Sequence, residues 1–169
     1  MIAPHHQPQP ERALTPAPEP VLQHDALDYA PRPKSIALAR NRAACLAADW
    51  GHPELADDTC LLVSELATNA LVRGAVPGRL FRVRLSLTRA VLQIAVTDAR
   101  GERLPHTGEP TPNATSGRGL LLVRALCLRW GVHVLDVGKT VWCELDVTRG
   151  GRLGMNKGPK TISWAPLRR

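Results

Sequence analysis

The sequence predicts an α/β fold in which a largely antiparallel sheet buries one of its faces. Three observations carry that expectation. In the 80s and 90s apolar and polar residues alternate: Val83, Leu85 and Leu87 against Arg82, Arg84 and Ser86, then Leu92, Ile94 and Val96 against Gln93, Ala95 and Thr97. That is the period of strands with one greasy side. Upstream, Leu61, Leu62, Leu66, Ala70 and Leu71 recur at helical spacing. Near the other end, Val141, Cys143, Leu145 and Val147 repeat the strand pattern. A chain of 169 residues, 44% hydrophobic and 22% charged, is enough for one domain with a proper core. With one Phe and one Tyr, that core must be built from Leu, Val, Ala and Trp.

In chain order, residues 1–32 are rich in Pro, Gln and Ala and show no period, which predicts a disordered N-terminal tail. A domain is expected over residues 33–148. Its first helix follows Pro33, with Ser35 in the opening turn, and Gly51 ends it. A second helix runs from about Pro53 to Arg73, with Glu54, Asp57 and Asp58 early in it, where the helix dipole favours acids. Val76-Pro77-Gly78 is a turn, and two strands follow, the second ending on Asp98. Then comes a loop of about twenty residues, long for a compact domain and typical of a lid or binding loop. It finishes in Ser116-Gly117-Arg118-Gly119, where the apolar helix LLLVRALCLRWG starts. Two strands, VHVLDV and TVWCELDV, are joined by Gly138-Lys139. Residues 149–169 make a basic C-terminal tail.

Several function classes drop out on composition. No apolar run approaches the ~20 residues of a membrane span, so no membrane partner is expected. The opening residues MIAPHHQPQPER carry no secretory leader pattern. The four cysteines, Cys45, Cys60, Cys127 and Cys143, are far apart without a C-x-x-C pair. That argues against zinc and disulfides and for buried reduced thiols in a cytoplasmic protein. The net charge of +7 is uneven: residues 1–30 carry −3, residues 149–169 carry +6 and the middle carries +4. A basic end can hold nucleic acid, but no aromatic platform or recognition-helix motif accompanies it. No direct nucleic-acid contact is expected.

Two features bear chemistry. Glu65 and Asn69 are four residues apart, one turn on the same helix face. A carboxylate and an amide oxygen so placed can share a hard cation such as Mg²⁺, and the carboxylate can act as a general base. Gly117-Arg118-Gly119 feeding a helix start is an anion site, because free backbone N–H groups point outward and glycine admits a phosphate.

Taken together, LLVSELATNAL, VTDARGERLP, SGRGLLLVRALCLRWGV and GKTVWCELDV occur in the order found in the histidine kinase-like (GHKL) ATPase superfamily, which the chain resembles over roughly residues 33–147. Within it, the chain looks most like the stand-alone anti-sigma-factor serine kinases of the RsbW and SpoIIAB type, abundant in actinobacteria. The resemblance implies a two-layer Bergerat-type sandwich, with a mixed, largely antiparallel sheet and helices on one face. It implies ATP and Mg²⁺ as cofactors. Asn69 becomes the metal-binding asparagine and Glu65 the catalytic acid beside it, working as the general base. Asp98 accepts from the adenine amino group, Gly101, Gly117 and Gly119 hold the nucleotide, and Thr140 lies near the adenine. Implied partners are a sigma factor and an anti-anti-sigma antagonist phosphorylated on serine or threonine, and a homodimer is suggested. The alternative is a nucleotide-binding interaction module without phosphotransfer. The chain departs from the family where D-x-G-x-G is usual, reading Asp98-Ala99-Arg100-Gly101, and has Arg73 where a histidine is common.

Overall fold

In the computed structural model, residues 19–100 and 123–148 are described. They contain strand β1 (Gln23–Tyr29), helix α1 (Pro33–Asp49), a 3-10 turn (Pro53–Leu55), helix α2 (Ala56–Gly74), and strands β2 (Phe81–Leu87), β3 (Val91–Asp98), β4 (Arg129–Val134) and β5 (Lys139–Asp146). The strands form one sheet in the order β1-β2-β3-β5-β4. Each of the four pairings is antiparallel.

The alternation seen in sequence sets the two faces. Phe81, Val83, Leu85 and Leu87 are buried on β2, whereas Arg82 and Arg84 are exposed. Cross-strand register continues the buried side through Val96, Ile94 and Leu92 on β3 to Val141, Cys143 and Leu145 on β5. Helix α2 covers that side, resting on β2 and β3, and α1 packs on α2. Close approach of the helices is possible because α1 turns Ser35, Ala39, Ala43 and Ala47 inward, a stripe of small side chains at four-residue spacing. Pro33 opens α1 at a position where its missing N–H costs nothing, and the N-cap residue, Arg32, makes no side-chain capping bond. Gly51, at φ +92°, closes the helix, with the His52 N–H donating to Ala47 O. The α/β sandwich with helices on one face is the fold observed.

Two boundaries differ from expectation. The stretch expected to be disordered, residues 1–32, contains β1, paired with β2 from Gln23↔Leu87 to Tyr29↔Phe81. Its composition hides it because an edge strand buries little: only Tyr29 is buried, and its ring stacks on Phe81 at 5.5 Å. Charge pairs do the rest, Arg82 donating to Asp28 and Arg42 to Asp25. Second, the helix expected through Trp130 ends earlier. Residues 123–126 are helical, and Leu128 N–H already donates to Glu144 O, starting the β4–β5 ladder. Of the cysteines, Cys127 and Cys143 are buried thiols outside any disulfide, but Cys45 is exposed. No described helix is long and apolar enough to cross a membrane.

Candidate functional site

The site is organised where the C-terminal end of β3 meets the C-terminal end of α2. Asp98 is in phase with Leu92, Ile94 and Val96, so its carboxylate turns to the helix side, where it is 4% exposed. It lies against Gly74, the last residue of α2. A β-carbon at Gly74 would stand 2.5 Å from Asp98 Oδ2 and 2.6 Å from its Cβ, so only glycine leaves room for this side chain. On the other flank Gly138 takes φ +91°, and a side chain there would collide with the Asp98 carbonyl. Two glycines far apart in sequence therefore fix one aspartate.

Lys139 is the residue that sequence reading missed. It pairs with Asp98 in register and shares its face. The Lys139 Nζ donates to Asp98 Oδ1 at 3.0 Å and to the Arg100 carbonyl at 2.7 Å, and the Arg100 N–H donates to the same Oδ1 at 3.0 Å. The ammonium and carboxylate are 5% and 4% exposed. A buried charge needs such a partner, because stripping either ion of water alone is costly. The signal was present in the sequence: position 139 is in phase with Val141, Cys143 and Leu145, the inward side of β5.

The same register fixes the place of Thr140. It pairs with Thr97, their hydroxyl oxygens 2.7 Å apart, on the sheet face away from the helices and from the Asp98 carboxylate. Its place beside Asp98 is taken by Lys139.

Glu65 and Asn69 both lie on α2, an unbroken helix from Ala56 to Gly74, and both are half-buried. At 1.5 Å per residue, Asn69 stands about 7.5 Å along the axis from Gly74 and Glu65 about 13.5 Å. The Asp98 carboxylate at the end of α2 is thus followed, further back along the helix, by the amide of Asn69 and the carboxylate of Glu65. That order suits an elongated ligand with a base at one end and anionic groups at the other. Among the described residues no three His, Cys, Asp or Glu side chains come together as a metal cage. A cation here would rest on one or two oxygens of α2 together with ligand phosphates and water, the habit of Mg²⁺ rather than of zinc. Gly101, Gly117 and Gly119 lie outside the described residues.

A cavity of about 640 Å³ opens beside the pair, bordered by Ala99, Arg100, Leu135 and Gly138, within the size range of small-molecule sites. A second hollow of about 530 Å³ is lined by Arg82, Arg84, Thr97 and Thr140 and also by Asp98 and Ala99, so Asp98 borders it together with Thr140.

No curated protein matches the chain. The family model for the histidine kinase-like ATPase domain matches residues 29–144, a span that includes α1, α2, β2, β3, β4 and all but the end of β5. With more than half of its length in that match, the chain belongs to the histidine kinase-like ATPase domain family.

Proposed function

We propose that the protein is an ATP-binding regulatory kinase of the anti-sigma-factor type, binding a sigma factor and phosphorylating a serine or threonine on an antagonist protein. The observation that supports it best is Asp98 packed against the C-terminal end of α2, with Asn69 and Glu65 further back on the same helix. Asp98, buried and presenting acceptor oxygens, would receive the amino group of adenine. Asn69 would offer its amide oxygen to Mg²⁺. Glu65 would orient the partner's hydroxyl and take up its proton. Gly101, Gly117 and Gly119 would hold the nucleotide, as the resemblance implies. When bound, Mg-ATP supplies the transferable phosphoryl group and the metal charge that neutralises it.

The test begins with capture of the partner from the source cell in the presence and absence of ATP. Labelled ATP is then supplied to the captured pair. Glu65→Gln is expected to keep nucleotide binding and to lose transfer by ~10²–10⁴, the usual worth of a general base. Asn69→Ala should instead weaken Mg²⁺-dependent binding itself. Transfer at the normal rate by Glu65→Gln would remove the catalytic role. A wild type that binds nucleotide and partner yet transfers nothing would favour the second reading, an interaction module without phosphotransfer. One observation leans that way: Asp98 is already ion-paired inside the chain.

A further inference from the structure

A carboxylate alone presents acceptors only, and so selects an amino group over a keto oxygen. In this chain the carboxylate is not alone. Lys139 Nζ is 3.0 Å from Asp98 Oδ1, and of its three N–H donors two are used among the described residues, on Asp98 Oδ1 and the Arg100 carbonyl. Both bonds that Asp98 accepts among the described residues fall on Oδ1, while Oδ2 is turned to Gly74. The pair therefore offers an acceptor and a donor side by side. Ala99, Arg100 and Gly138, the residues that bracket it, border the cavity of about 640 Å³.

Position 139 is on the inward side of β5, where Val141, Cys143 and Leu145 fill the core, and pairing with the buried Asp98 accounts for a charge there. That pairing uses one N–H of the ammonium and leaves others to be directed elsewhere.

We propose that Lys139 is a specificity-determining residue of the nucleotide site. Its third N–H donates to the ring nitrogen next to the amino group of a 6-aminopurine, while Asp98 accepts from that amino group. This rests on the adenine-nucleotide reading of the site and adds a second contact to it. The base is then read at two adjacent atoms, a donor and an acceptor.

The test uses the full chain, isothermal calorimetry and three triphosphates with Mg²⁺: ATP, 1-deaza-ATP (the ring nitrogen replaced by C–H) and 7-deaza-ATP as a control on the far side of the ring. Wild type should bind 1-deaza-ATP roughly 10- to 100-fold more weakly than ATP, the worth of a hydrogen bond from a charged donor. The 7-deaza compound should bind nearly as ATP does. In Lys139→Met the ratio between ATP and 1-deaza-ATP should collapse to about one, a coupling read directly from the ligand–protein cycle. Lys139→Met leaves Asp98 unpaired. If it does not fold, the Asp98→Asn/Lys139→Met double variant carries no buried unpaired charge, and the same collapse is expected in it. Equal binding of ATP and 1-deaza-ATP by wild type overturns the role of Lys139 and leaves the ATP site standing. A penalty that survives undiminished without Lys139 assigns the contact to another group and also overturns it. Wild type binding none of the three overturns the nucleotide reading itself, and the inference with it.

Discussion

Replacing Gly74 by alanine sets two physical effects against each other. By helix propensity the change is favourable, by up to about 1 kcal/mol. Gly74 is the last residue of α2, and its backbone is not in the left-handed region, so alanine is conformationally acceptable. By sterics it is unfavourable, since the new β-carbon would lie 2.5 Å from Asp98 Oδ2 and 2.6 Å from Asp98 Cβ. Asp98 has nowhere to retreat. Its Oδ1 is held by the Arg100 N–H and by Lys139, and its carbonyl faces Gly138, where there is no room for a β-carbon. Overpacking of this kind costs about 1–3 kcal/mol, and pulling the carboxylate off Lys139 leaves a buried charge uncompensated, at about 3–5 kcal/mol. The steric side wins, and the expected net loss is about 2 kcal/mol or more. Urea unfolding should show it as a lower midpoint at unchanged slope, and nucleotide affinity should fall in the same variant. A midpoint equal to or above that of wild type would refute the packing argument.

Other consequences can be measured in parallel. Deleting residues 1–30 removes β1, with the Tyr29–Phe81 stack and the Asp25 and Asp28 ion pairs, and should cost about 2 kcal/mol or more in urea unfolding, mostly from the buried tyrosine. Stability unchanged by that truncation would show that β1 contributes nothing. The hydrogen bond from Arg82 holds the Asp28 carboxyl below its ordinary value of 3.8, so its stabilisation is complete above that pH and is lost as pH falls further. Acid unfolding of wild type and Asp28→Asn should therefore differ above pH 3.8 and converge below it, by a small margin because the pair is solvent-exposed. Burial pushes the Cys143 thiol well above its usual value of 9.0, whereas Cys45 is exposed. Alkylation followed by mass spectrometry should label Cys45 in the native protein and Cys143 only after unfolding. Thr140→Val should leave ATP affinity unchanged, since the Thr97–Thr140 contact lies on the opposite face of the sheet from the Asp98 carboxylate.

What could be read beforehand, and what could not, follows from how burial writes itself into a sequence. β2 and β3 announce themselves because each has one side in the core and one in water, so Val83 and Arg84 must differ. The two long helices are legible for the same reason. β1 is not, since His24, Asp25 and Asp28 occupy both faces of a strand that buries only its last residue; its order comes from a partner distant in sequence. At the site, Asp98, Asn69 and Glu65 stood out as polar groups at fixed points of apolar elements. Lys139 was concealed by Gly138, because a Gly-Lys step between two strands looks like a turn. Thr140 is one residue further on, and in a strand one residue turns a side chain to the other face.

The pairing of β1 also has a bearing on how the chain is made. Asp28 and Arg82, which join β1 to β2, are 54 positions apart, whereas β2 and β3 are neighbours along the chain. A ribosome adding about 5–20 residues per second would release β1 and then need roughly 3–10 s to supply the strand it pairs with. Throughout that interval α1 and α2 have no sheet beneath them, and β1 has nothing to zip against. The β2–β3 hairpin closes a short loop and can form as soon as it emerges. The first strand synthesised is therefore expected to be among the last to find its place, and slow codons or a holding chaperone acting before Phe81 emerges would prolong its exposure without touching the final structure.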